Sequence, residues 1–144
     1  MAGFEQTEWI ARPPAAVFQF ITDTRNAPRV IPSVQRLEAM TDGPTRVGTR
    51  YRETRLVNGK EAQAELEVTG FEPPGRYAVR NVTDGIQTVY TYRFQPERDG
   101  TRVTLECVVS AGGLKKLMAP IVAAVLKKED GDHLARLKAA VEAG

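Results

Sequence analysis

Two dipeptides constrain this chain more than anything else in it: Asn58-Gly59 and Asp84-Gly85, both set in a stretch of period-two hydrophobicity running from Val34 to Ser110. A type I′ turn needs positive φ at both central residues, which Asn-Gly and Asp-Gly supply readily. Each dipeptide therefore predicts a two-residue hairpin, and a hairpin fixes a register. If Val57 pairs with Lys60, Arg52 faces Glu65, Arg50 faces Glu67 and Thr54 faces Gln63, all on one face turned to water. The other face then pairs Thr49 with Val68, Tyr51 with Leu66, Glu53 with Ala64 and Arg55 with Ala62, and is mostly apolar.

The second turn predicts an inner face that pairs Tyr77 with Tyr92, Val79 with Tyr90 and Asn81 with Thr88. Arg80, Val82, Gln87 and Val89 point outward. Pro73-Pro74-Gly75 links the two hairpins, and Arg98-Asp99-Gly100 turns into a last strand with Val103, Leu105, Cys107 and Val109 inside. A β-prone segment, Phe4 to Ala11, precedes all of this. It stops at Arg12-Pro13-Pro14, where proline suits the first turn of a helix over Pro14 to Thr22. Asn26 to Ser33, with Pro28 and Pro32, has room only for a short helix or a turn. About seven antiparallel strands result.

After Gly112-Gly113 the pattern becomes helical. Leu114, Leu117, Met118, Ile121 and Val125 form one apolar stripe, and Leu134, Leu137 and Val141 form another, rotated by more than a quarter turn. The change falls at Glu129-Asp130-Gly131-Asp132, which predicts one long helix with a kink there, the glycine being the expected cause. Roughly 28 residues at 1.5 Å each reach about 40 Å, enough to lie across the whole sheet.

Composition excludes several kinds of chemistry. The 144 residues are the size of one domain, expected to span 1–144, and 20 Lys+Arg against 18 Asp+Glu give a formal charge of only +2 with the signs interspersed, which argues against a nucleic-acid partner. One cysteine, Cys107, precludes an intrachain disulfide, and one histidine, His133, cannot supply a His/Cys zinc site, so no metal is expected. Neither serine, Ser33 or Ser110, sits in a nucleophile elbow, and no phosphate-binding glycine loop is present, so no cofactor is expected. Met1-Ala2-Gly3-Phe4-Glu5 has no apolar leader character, and the longest apolar run, Ala119 to Leu126, is too short to span a bilayer. The expectation is a cytoplasmic protein, monomeric or homodimeric.

The order strand, helix pair, six-strand meander and long C-terminal helix resembles the helix-grip fold of the SRPBCC superfamily. That superfamily includes START lipid-transfer domains, polyketide cyclase/dehydrase proteins, coenzyme Q-binding proteins and Bet v 1-like allergens. The resemblance covers nearly the whole chain. It is carried by Ile10-Ala11-Arg12-Pro13-Pro14-Ala15-Ala16-Val17-Phe18, by Pro32-Ser33-Val34 and by Val47-Gly48-Thr49. Phe71-Glu72-Pro73-Pro74-Gly75-Arg76, Asp99-Gly100-Thr101-Arg102-Val103-Thr104 and Leu134-Ala135-Arg136-Leu137-Lys138 extend it. It implies an α+β fold in which a curved antiparallel sheet of about seven strands wraps the long C-terminal helix and encloses a cavity for an apolar ligand. Some members are enzymes, and many only bind or carry.

The predicted inner face carries all four tyrosines, Tyr51, Tyr77, Tyr90 and Tyr92, together with Glu53, Arg55, Asn81 and Thr88. A dry core rarely holds so many polar tips, because each buried polar group needs a partner, whereas a ligand pocket combines apolar walls with a few orienting groups. The competing reading is that Tyr is a good strand residue whose hydroxyl reaches a sheet edge or a carbonyl. The expected ligand-binding set is Tyr51, Glu53, Tyr77, Val79, Asn81, Thr88, Tyr90, Tyr92 and Cys107 on the sheet, with Met118, Ile121 and Val125 on the helix. Glu53, Arg55 and Tyr51 are the candidates for acid-base chemistry; for Glu53 and Arg55 the alternative is a mutual ion pair at an exposed rim. His133 falls on the flank of its helix, which predicts packing rather than proton transfer.

These features predict binding or transport of a hydrophobic small molecule, such as a lipid, an isoprenoid quinone or a polyketide-like aromatic, entering near the kink and the loops around Ile31 and Gly112-Gly113. Two alternatives stand beside it: a polyketide cyclase or dehydratase acting in the same cavity, and a protein-interaction module whose pocket has collapsed. Lys115-Lys116 and Lys127-Lys128, beside the first apolar stripe, suit either a solvated helix face or transient membrane contact without stable insertion.

Overall fold

The computed structural model describes residues 2–143; Met1 and Gly144 lie outside them. Seven strands form one antiparallel sheet in the order β1-β7-β6-β5-β4-β3-β2. Strand β1 is Ala2–Ile10, β2 Val34–Ala39, β3 Arg50–Val57, β4 Lys60–Glu72, β5 Arg76–Thr83, β6 Ile86–Glu97 and β7 Gly100–Ala111. Helices α1, Pro14–Thr22, and α2, Ala27–Val30, separate β1 from β2. A 3₁₀ segment, Gly113–Met118, leads into α3, Ala119–Glu129, and α4, His133–Ala143.

Both hairpins have the register that their turns predict. Asn58 and Gly59 take φ of 51° and 78°, and Asp84 and Gly85 take 53° and 77°, the left-handed pair that a type I′ turn requires. Tyr51 accordingly faces Leu66 and Glu53 faces Ala64, while Tyr77 faces Tyr92 and Asn81 faces Thr88. Irregularities between Val34 and Arg36 on β2 and between Val68 and Gly70 on β4 bend the sheet, giving it the concavity a gripped helix needs.

The water-facing row departs from expectation in two ways. Arg50 reaches diagonally to Glu65 at 3.2 Å, one pleat along from its register partner Glu67, while Glu67 pairs at 2.7 Å with Arg80, its direct partner on the other side. Thr54 is not exposed at all: it is a short side chain set in register between Arg36 and Gln63, and its hydroxyl finds no partner among the described residues.

The C-terminal helix is interrupted as expected, although glycine is not the cause. Gly131 has no positive φ. Instead the Asp130 carbonyl, which a continuous helix would pair with the fourth residue on, accepts from the His133 amide at 3.1 Å and from Gln6 Nε2 at 2.9 Å. A side chain from β1 has entered the helical ladder, one of the recognised origins of a kink.

The two helices bury different kinds of residue. On α4, Leu134, Leu137 and Val141 join Ile10, Val17, Phe18 and Phe94 in the main core. On α3 the buried residues are Ala119 and Ala123, packed with Cys107 and Val109 of β7. The stripe expected to face the sheet points outward: Leu114 is 90% exposed, Leu117 78%, Ile121 57%, Val125 52% and Met118 44%.

Candidate functional site

A cavity of about 330 Å³ opens between the concave face of the sheet and the helices. Its apolar wall includes Ile21 of α1, Val30 of α2, Leu37 of β2, Leu66 of β4, Val79 of β5 and Leu126 of α3. The alternating pattern that fixed the register also sends Tyr51, Glu53 and Arg55 of β3 into this space. Tyr77 and Asn81 of β5 and Thr88, Tyr90 and Tyr92 of β6 join them. Nine sequence-selected residues therefore line one cavity: these eight and Val79.

Four others do not. Cys107 lies beneath the alanine stripe of α3, in the second packed cluster, where burial pushes its thiol up to about 11. Met118, Ile121 and Val125 stand on the outer side of the helical segment, as given above. Their stripe has the right spacing for a buried face, but the neighbouring one, Ala119, Val122, Ala123 and Leu126, has the same spacing and smaller side chains. Small residues let a helix approach a sheet closely, and α3 packs on β1 and β7 through them.

The polar groups converge where α3 gives way to α4. Glu53 and Arg55 form an ion pair at 2.6 Å between Oε1 and Nε, with side chains only 11% and 24% exposed, so the pair is not a solvated rim feature. Burial works against the Arg55 charge, and the Glu53 carboxylate, with Asp130 beyond it, holds the proton on. Tyr90 Oη donates to Asp130 Oδ2 at 3.0 Å. Burial pushes the Asp130 carboxyl up; the Tyr90 hydrogen bond and Arg55 oppose this, while Glu129 and Glu53 add to it.

His133 is the residue that periodicity misplaced. It is buried rather than flanking, and its Nε2 lies 2.7 Å from Tyr92 Oη. Burial pushes the imidazole down to about 4, against an interaction with the Val30 backbone that pulls the other way. The ring is therefore neutral at neutral pH. Tyr77, Tyr90 and Tyr92 are all driven well above the ordinary phenol range, chiefly by burial, so their hydroxyls remain protonated donors. Tyr51 shares a hydrogen bond of 2.6 Å with Thr45, and Asn81 Nδ2 donates to the Glu65 carbonyl.

Sequence reasoning missed Asp130 and Glu129. One signal was available: acids in the last turn of a helix oppose its dipole, so Glu129-Asp130 at the end of an otherwise basic segment suggests a local purpose. Of the entry loops, Ile31 lines the cavity and Gly112-Gly113 does not. Among the described residues no group of three or more His, Cys, Asp or Glu is placed to hold a metal ion. Nor, among the described residues, is any helix long and apolar enough to cross a membrane.

Comparison with known proteins agrees with this architecture. Residues 1–142 match the family described as polyketide cyclase / dehydrase and lipid transport, so the chain belongs to that family, within the SRPBCC superfamily. No curated protein matches the chain significantly by sequence. Among solved structures it is similar to Ara h 8.0201, at 17% identity and a TM-score of 0.78, covering 98% of this chain and 97% of that one. TTHA0849 from Thermus thermophilus is 22% identical with a TM-score of 0.75, covering 96% of each chain. The di-domain ARO/CYC BexL from the BE-7585A biosynthetic pathway is 19% identical with a TM-score of 0.81, covering 99% of this chain and 47% of that longer one. At these identities the likeness is one of fold, the helix-grip fold.

Proposed function

We propose that this member of the polyketide cyclase / dehydrase and lipid transport family is a single binding domain for a hydrophobic small molecule held between sheet and helices. The observation that carries this is the cavity itself: about 330 Å³ with apolar walls and one polar end, the form of a site where apolar contact supplies affinity and a few polar groups supply orientation. A concave face completely filled by side chains would have favoured the interaction-module alternative; the open cavity supports the binding reading instead. Native mass spectrometry of the protein purified from its own host tests the proposal. A co-purified apolar molecule, lost when Val79→Trp fills the cavity, is the expected result. An empty protein that also fails to take up neutral apolar probes overturns it.

One observation favours catalysis in the same cavity: the neutral His133 and the Tyr92 hydroxyl stand 2.7 Å apart beside the Glu53–Arg55 pair. A bound ligand would meet an acid, a base and a cation at one end. Glu53→Gln separates the two readings, since it should abolish turnover in an enzyme and only modestly weaken binding in a carrier.

The outward face of residues 113–128 supports brief contact with an anionic membrane during ligand exchange. Leu114, Leu117 and Ile121 are mostly exposed, four lysines flank them and no Asp or Glu lies within the stretch. Sedimentation with phosphatidylglycerol-containing vesicles should show salt-sensitive binding that Leu117→Glu reduces. Equal binding to neutral phosphatidylcholine vesicles, or none to either, rejects it.

A further inference from the structure

The polar end of the cavity has an excess of negative charge. Glu53, Glu129 and Asp130 line it, against a single cation, Arg55. That cation is already committed, its Nε sitting 2.6 Å from Glu53. Arg29 of α2 lies over the Phe20 ring at 5.2 Å and is not part of the lining. His133 contributes no positive charge at neutral pH, because burial holds it neutral.

The acceptor atoms have a further asymmetry. Asp130 is only 5% exposed, and Tyr90 occupies just one of its two oxygens, Oδ2. Oδ1 has no hydrogen-bond partner among the described residues, although the residue borders the cavity. A carboxylate oxygen accepts only, so what it lacks is a donor. Burial, with Glu129 and Glu53 adding to it against the Tyr90 hydrogen bond and Arg55, already pushes the pKa of Asp130 up, which marks a field that a further anion would worsen.

We infer that this cavity rejects anionic ligands and selects apolar molecules ending in an uncharged hydrogen-bond donor, a hydroxyl or phenol, with Asp130 as the residue that decides. The inference rests on the ligand-binding reading above and narrows its ligand class. Such a ligand donates to Asp130 Oδ1 and leaves the Glu53–Arg55 pair intact, its oxygen free to accept from an unused Arg55 N–H. A carboxylate ligand brings a desolvated negative charge next to two uncompensated ones. In a partly buried site each like charge a few ångströms away costs about tenfold in affinity or more.

Three probes of one ring shape test this by calorimetry at pH 7: naphthalene, 2-naphthol and 2-naphthoate. The protein should bind 2-naphthol at least about tenfold more tightly than 2-naphthoate. Asp130→Asn should narrow that ratio severalfold, by strengthening naphthoate and weakening naphthol. Glu129→Gln, at an exposed position where folding is not at stake, should strengthen naphthoate to a smaller extent. Charge selection is overturned if naphthoate binds as tightly as naphthol, or if a folded Asp130→Asn protein keeps the original ratio. Should Asp130→Asn fail to fold, an unchanged ratio in Glu129→Gln overturns it instead. Naphthalene keeps the two levels apart. If it binds while the charged and uncharged derivatives are not distinguished, only the inference falls; if neither naphthalene nor naphthol binds, the ligand-binding reading falls with it.

Discussion

Helices α3 and α4 are consecutive, have eleven residues each and lie against the same sheet, yet they solve the packing problem in opposite ways. Helix α4 turns its large residues inward, with Leu137 completely buried and Leu134 and Val141 nearly so. Helix α3 turns alanines inward and leaves Ile121 and Val125 in solvent. The difference sets the distance between helix and sheet, and with it where space remains. Alanines bring α3 close to β1 and β7, so that Cys107 and Val109 are sealed beneath it. The cavity opens elsewhere, over β3 to β6, bordered at the α3–α4 junction by Leu126, Glu129, Asp130 and His133 and lined by tyrosines.

The largest expected effect tests this difference directly. Leu137→Ala should lower unfolding free energy by about 3 kcal/mol, since it removes fully buried methyl groups and leaves a void in the main core. Leu117→Ala, in the outward stripe, should change it by less than about 0.5 kcal/mol. Denaturant titration of both variants provides the comparison. Equal losses would mean that the outward stripe is covered in solution and that the contrast between the two faces is false.

A second substitution addresses side-chain size instead of hydrophobicity. Ala123→Leu adds volume where α3 meets the sheet and should cost about 1 to 3 kcal/mol, although it makes the helix more hydrophobic. Val125→Leu, two residues on and half exposed, should alter stability by no more than about 0.5 kcal/mol. If Ala123→Leu is neutral or stabilising by thermal melt, close approach is not what selects the alanine stripe.

The same contrast explains what could be read from the sequence. Hairpin register was legible to the residue because two local facts determine it, the φ signs demanded by Asn58-Gly59 and Asp84-Gly85 and the alternation that follows. Nine cavity residues came with that register. The face of α3 was not legible, since Met118, Ile121 and Val125 and the set Ala119, Val122, Ala123 and Leu126 both satisfy helical spacing, about a third of a turn apart. Hydrophobicity favours the first, while packing distance, which depends on β1 and β7, selects the second. Asp130 and His133 were hidden for a related reason. Their positions depend on Gln6 entering the helical ladder from the other end of the chain, and no local pattern encodes a contact between residues so far apart.

His133 carries the last and smallest test, because it places a titratable group on the buried side of the contrast. In the folded protein its pKa is held down to about 4, whereas an unfolded chain titrates near 6.5. Between those values the unfolded state binds the extra proton, so stability is complete above about pH 6.5 and declines as the pH falls towards 4. From pH 7 to pH 5 the loss attributable to this ring is on the order of 1 to 2 kcal/mol. Asp130 acts with the opposite sign: a carboxyl whose folded pKa is raised gains stability on acidification, and it shares the cavity with His133. The raw pH dependence therefore mixes two opposed slopes, and the His133 contribution is read as a difference. Thermal melts of the parent protein and His133→Asn across pH 5 to 7 should show the parent losing more stability on acidification than the variant. Parallel curves would mean that the imidazole is hydrated in the folded state, and the buried polar junction between α3 and α4 would then be open to water.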